Sequence, residues 1–177
     1  MRRHTSYRQT TGSRRALGFV LASFLLITAP AHALDEGDSA PNFRAPSLTG
    51  PGTLSLEDFR GKVVLLDFWA SWCTPCLSSL PQLDTLREKF PSRDFQIVAV
   101  NVDRDLDAAR QFLSRHPVGY PSAIDPEGRI PELFELGTMP TSFVIDRGGV
   151  VRHVHEGFRK DDLGVLRGRI AELLGGL

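Results

Sequence analysis

The 177-residue sequence is 41% hydrophobic and 24% charged, with 21 basic and 21 acidic side chains. That length and balance suit a single globular domain with a real core and exclude a disordered or low-complexity chain. The chain has only two cysteines, three positions apart, which excludes a scaffold stapled by bridges between distant segments.

Residues 1–33 read as an export signal rather than part of the fold. Arg2, Arg3, Arg8, Arg14 and Arg15 form a basic start, an apolar run follows from Ala16 to Pro30, and Ala31-His32-Ala33 is a small-x-small cleavage pattern. The run is short of the ~20 residues of a membrane span. Cleavage after Ala33 is expected, with an uncleaved N-terminal anchor as the alternative. Ser13-Arg14-Arg15-Ala16-Leu17 also resembles a twin-arginine signal. No cysteine stands just after the run, which argues against a lipoprotein. Loss of residues 1–33 takes five arginines and no acid, leaving 16 basic side chains against 21 acidic, net −5. A mildly acidic domain without a basic stripe is a poor binder of nucleic acid.

From residue 34 the pattern predicts one domain to residue 177. Pro41, Pro46 and Pro51, with Gly50 and Gly52, make an extended, turn-rich lead-in. Thr53 to Leu56 alternates as a short strand, and Glu57 to Lys62 is a turn. Val63 to Trp69 is an apolar run of buried-strand length. A helix follows from Pro75, with Leu77, Leu80, Leu83 and Leu86 spaced by three and Pro81 expected to kink it. Phe95 to Val102 is a second buried strand, and Asp105 to Arg115 a second helix. Residues 118–138 are mixed, with a short helix around Pro131 to Leu136. Thr141 to Asp146 and Val150 to His155 form a hairpin across Arg147-Gly148-Gly149, and Asp161 to Leu174 is a closing helix. The resulting order, β-α-β-α-β-β-α after an extension, is an α/β arrangement with right-handed parallel crossovers.

The two cysteines lie where the first long strand gives way to its helix, in Trp72-Cys73-Thr74-Pro75-Cys76. A bridge across two residues constrains the unfolded chain little, so structural stapling is a weak reason for the pair. A thiol at a helix start faces unpaired N–H groups and the positive end of the helix dipole, both of which stabilise the reactive thiolate. Cys73 is therefore the expected nucleophile, and Cys76, one turn in, the resolving thiol. Zinc would need about four ligands. The sequence has no second Cys-x-x-Cys, and His116, His153 and His155 have no metal spacing, so no metal is expected. Those histidines read as surface residues. Asp67 lies inside the apolar strand, where a carboxylate costs several kcal/mol unless paired or protonated. It reads as a buried acid with a raised pKa that accepts the Cys76 proton; a solvent-facing position is the bland alternative. Met139-Pro140 heads the third long strand, where a proline is by default an edge device.

The segment Lys62 to Cys76 (KVVLLDFWASWCTPC) resembles the active-site segment of thioredoxins, and its surroundings are similar to the exported TlpA/ResA-like branch. Ala40-Pro41-Asn42-Phe43, Leu56 to Lys62 (LEDFRGK) and Gly137 to Asp146 (GTMPTSFVID) carry that likeness across the whole mature chain. The resemblance implies a thioredoxin-like three-layer α/β fold with an N-terminal extension and a central βα insertion over residues 118–138. It implies Cys73 as nucleophile, Cys76 as resolving cysteine and Pro140 as a cis-proline facing the disulfide. Met139 would then offer its backbone to a substrate strand. Trp72 would flank the disulfide, and Thr74 and Pro75 would complete the substrate-facing surface. Asp67 matches the buried acid of thioredoxin, whereas many of the branch have Asn there, some with a Glu where this chain has Ser79.

The implied function is a periplasmic thiol–disulfide oxidoreductase that reduces protein disulfides without a cofactor. A membrane thiol–disulfide donor would recharge it, because that compartment is oxidising. Cytochrome c or copper-site maturation are the implied client processes. A thiol oxidase of folding proteins, a thiol peroxidase sharing the fold, and a non-catalytic binding module are the alternatives.

Overall fold

The computed structural model describes residues 34–159 and 161–175; the expected export signal, with its cleavage or anchoring, lies outside the described residues. Among them, seven strands and four helices follow in order: β1 (Arg44–Pro46), β2 (Thr53–Ser55), β3 (Val63–Trp69), α1 (Thr74–Arg87), β4 (Phe95–Asn101), α2 (Leu106–Arg115), β5 (Ser122–Ile124), α3 (Arg129–Leu133), β6 (Thr141–Ile145), β7 (Val151–Glu156) and α4 (Asp162–Leu173). β1 and β2 pair as a small antiparallel sheet. The other strands form one sheet in the order β5-β4-β3-β6-β7. β3, β4 and β5 are parallel, and β6 and β7 complete the sheet antiparallel.

β3 is central because all seven of its residues are buried. Its side chains alternate between two apolar clusters. Val63, Leu65 and Trp69 pack with Leu80, Leu83 and Leu86 of α1, Ala109 and Phe112 of α2, and Leu166 and Ile170 of α4. Val64, Leu66 and Phe68 pack with Phe43 and Leu56 of the lead-in and with Ile130 and Phe134 around α3. Three layers follow: α1, α2 and α4 on one face, the lead-in and α3 on the other. Burial of Leu80, Leu83 and Leu86 contributes about 1.5–3 kcal/mol each.

Local signals explain most boundaries. Asp105 caps α2 by accepting from the N–H groups of Asp107 and Ala108 at 3.0 and 3.3 Å, worth about 1 kcal/mol. α1 runs unbroken across Pro81, with Pro81 and Leu77 on its exposed side, where solvent replaces the missing N–H. The predicted turn after β2 is a 3-10 helix over Leu56–Phe59. The predicted helix at Pro131 to Leu136 starts earlier, at Arg129. Its strand partner β5 does not stand out from the mixed segment in sequence, because three residues carry no readable alternation.

The surface reading of His153 and His155 is corrected. Their side chains are 15% and 13% exposed, with His153 Nδ1 3.0 Å from Glu36 Oε1 and His155 Nε2 3.0 Å from Asp162 Oδ2. β7 is an edge strand, but the lead-in and the start of α4 close over it.

Candidate active site

The site is built on the turn between β3 and α1. Cys73 is the N-cap of α1, with extended φ/ψ of −83° and 98° and no side-chain capping bond. Its N–H donates to the Ala70 carbonyl at 3.1 Å, and the Cys76 N–H donates to the Cys73 carbonyl at 3.0 Å. Cys73 and Cys76 form a disulfide with Cα atoms 5.3 Å apart. Cys73 is 4% exposed and Cys76 fully buried, while Trp72 beside them is 66% exposed. Thr74 and Pro75 are exposed on the same turn. Pro75, early in the helix, has no N–H to lose.

Asp67 lies two residues before the end of β3 and is fully buried. Ala99 of β4 and Ser142 of β6 flank it in register. Alternation places it between Leu65 and Trp69, on the face covered by α1, the helix that carries Cys76. Ser142 Oγ donates to its Oδ1 at 2.7 Å, and its Oδ2 is buried with no hydrogen-bond partner among the described residues. Burial pushes its pKa up to about 7, against the opposing pull of the Ser142 hydrogen bond. The solvent-facing alternative is thereby excluded.

The Met139–Pro140 peptide bond is cis. Pro140 is buried just before β6, and Met139 packs against the cluster that holds both cysteines. Met139 and Trp72 also line one groove of about 540 Å³, together with Val102, Arg104, Pro131 and Leu136. The groove thus opens beside the cysteine turn, walled by Trp72 and Met139, while Cys73 and Cys76 lie in the core cluster that Met139 packs against and Asp67 lies on the strand beneath the helix.

One residue that reaches the cysteine turn, Asp103, is not marked out by the sequence. It is 2% exposed and accepts from Ser71 in the cysteine turn. The available signal is an acid directly after a buried strand, Asn101-Val102-Asp103, which by itself has many meanings.

This arrangement can exchange disulfides: one sulfur at a helix start, a second one turn away, a buried carboxyl on the strand beneath the helix and a groove walled by the neighbouring Trp72. Known proteins of similar sequence and structure agree. The Redoxin family pattern matches residues 35–168. A thiol-disulfide oxidoreductase ResA from Bacillus cereus is 34% identical over 136 residues, 77% of each chain. ResA from Bacillus subtilis (strain 168) is 32% identical over 142 residues, 80% of this chain and 78% of that one. A crystal structure from Chlorobium tepidum, described as a thiol:disulfide interchange protein DsbE, superposes with a TM-score of 0.77 at 45% identity, covering 80% of this chain and 99% of that one. The likeness carries the thioredoxin-like fold together with the Cys-x-x-Cys pair, and the chain belongs to the Redoxin family as a thiol–disulfide oxidoreductase of the ResA/DsbE-like kind.

Proposed function

We propose that this chain is exported by residues 1–33 and that residues 34–177 reduce disulfides of client proteins in the periplasm. The observation that carries the reading is the placement of the chain's two cysteines at the N-cap of α1, on the sheet face that holds a buried acid. The Cys73 thiolate attacks a client disulfide, forming a mixed disulfide and releasing one client thiolate. Asp67 takes the Cys76 proton, and the Cys76 sulfur attacks Cys73. The second client thiolate leaves, and two electrons have passed from the dithiol to the client. Trp72, Thr74 and Pro75 form the client-facing surface, with Met139 offering its backbone beside Pro140.

Reduction is favoured over oxidation by the thin set of amides at the cap. Pro75 supplies no N–H, and the Cys76 N–H is engaged by the Cys73 carbonyl. A modestly stabilised thiolate gives a more reducing pair, since the strong oxidants owe their potential to a stabilised reduced form. Recharging in an oxidising compartment calls for a membrane dithiol donor. Clients in cytochrome c or copper-site maturation fit a reductase of this kind. The test is Cys76→Ala expressed in the native periplasm, with trapped mixed disulfides identified by mass, alongside equilibration of the wild type with glutathione. Trapped apoproteins carrying Cys-x-x-Cys and a potential near that of thioredoxin support the reading. A potential near the strong oxidants, or unhindered client maturation with Cys73→Ser, overturns it.

A further inference from the structure

The exchange chemistry leaves one buried acidic residue without a role. Asp103 Oδ2 accepts from the Ser71 N–H at 2.8 Å and from Asn101 Nδ2 at 2.7 Å, and its Oδ1 accepts from Ser71 Oγ at 2.9 Å. Its own N–H donates to Asn101 Oδ1 at 3.2 Å. Asn101 is fully buried. The three groups that reach the Asp103 carboxyl are the Ser71 N–H, the Ser71 hydroxyl and the Asn101 amide, each placed as a donor. A buried charge is poor general cement, because an apolar side chain of similar size often does as well. Two of the three bonds to this carboxylate reach across 32 positions to residue 71, in the turn that ends at Cys73.

That turn has few restraints of its own. One is the Cys73 N–H bond to the Ala70 carbonyl; among the described residues the Ser71 N–H is held only by Asp103. We propose that Asp103 is a positioning residue, clamping the Ala70–Trp72 turn so that the Cys73 sulfur keeps its place at the positive N-terminal end of α1. The inference rests on Cys73 being the attacking thiol. Stabilisation of an anion by the helix dipole falls off within the first turn, so a loosened turn loses it. The other charged groups around this turn are Arg104 and Glu127 in the groove shared with Trp72, Arg115 and His116 in the cleft lined by Ser71 and Leu77, and Asp67 on β3.

The test follows the alkylation rate of Cys73 against pH in the reduced protein, with melting temperature recorded in parallel. Asp103→Ala moves the Cys73 pKa up by about one unit toward the free-thiol value of ~8.5, lowering the reduction rate at pH 7 by up to about 10-fold. Asp103→Asn is isosteric; its carbonyl can keep the Ser71 N–H and Asn101 bonds while its amide donates to Ser71 Oγ, so the Cys73 pKa stays near that of the wild type. Ser71→Ala removes one bond and gives a smaller alkaline shift. An Asn variant that shifts as far as Ala, a shift to lower pH in either, or a lowered melting temperature without any shift overturns the proposal. Should Asp103→Ala fail to fold, Ser71→Ala decides: an alkaline shift supports the clamp, and none overturns it. A wild-type Cys73 titrating like free cysteine sinks the site reading and the clamp together, whereas a depressed wild-type value unmoved by Asp103→Ala sinks the clamp alone.

Discussion

Ser142 on β6 donates its hydroxyl to Asp67 on β3 at 2.7 Å, and it is the only hydrogen-bond partner of that carboxyl among the described residues. The other oxygen is buried and unpaired. One hydrogen bond from a neutral hydroxyl does little against full desolvation, which is why the acid holds its proton up to about pH 7. A carboxyl poised there can both take and return a proton under ordinary conditions.

The first prediction concerns that proton. If Asp67 accepts the Cys76 proton as proposed, resolution of the mixed disulfide should accelerate as pH rises through about 7, where that carboxyl ionises. Asp67→Asn should slow this step on the order of 100-fold at pH 7 and flatten its pH dependence in that range. Stopped-flow release of a labelled client thiol reads both; an unchanged rate and profile removes Asp67 from the mechanism.

Stability should carry the same signature. A carboxyl whose folded pKa is raised binds its proton more tightly in the folded state. Its contribution is present below the unfolded value near 3.8 and is lost as pH rises through about 7. Denaturant unfolding should therefore show a fall in stability between about pH 4 and 7, at most on the order of 4 kcal/mol. Asp67→Asn should lack that component.

Trp72 presents a large exposed apolar surface beside the disulfide and walls the groove with Met139. Trp72→Ala should weaken client binding by about 1–2 kcal/mol, roughly 10-fold in KM, and leave kcat nearly unchanged. A loss confined to kcat would show that Trp72 shapes the cysteines rather than the client.

The end of α3 offers a test of backbone strain away from the chemistry. Glu135 has φ +48°, a left-handed conformation outside glycine. Its N–H donates to the Glu132 carbonyl at 3.1 Å, and the Leu136 N–H donates to the Pro131 carbonyl at 2.9 Å, the paired bonds of a Schellman end. Glu135→Gly should raise stability by about 0.5–1 kcal/mol, read by urea unfolding, while Leu136 keeps its place in the groove wall.

Much of this protein is written in local pattern. The apolar run Val63 to Trp69 is β3 with the same bounds, since a strand buried on both faces needs continuous hydrophobicity and nothing else. The cysteine turn is legible because Cys-Thr-Pro-Cys at the end of such a run combines a helix start with two thiols. Other features depend on partners far along the chain. That the acid of β3 is shielded, and by how much, requires α1 to close over it and Ser142 to arrive from 75 positions away. His153 and His155 read as surface residues from their strand alone, whose pattern does not encode the cover that the lead-in and α4 lay over it. Asp103 reaches the cysteine turn only because β4 ends beside Ser71. Short-range periodicity records which face of an element avoids water; desolvation and hydrogen-bond partnership depend on what the whole fold brings against that face.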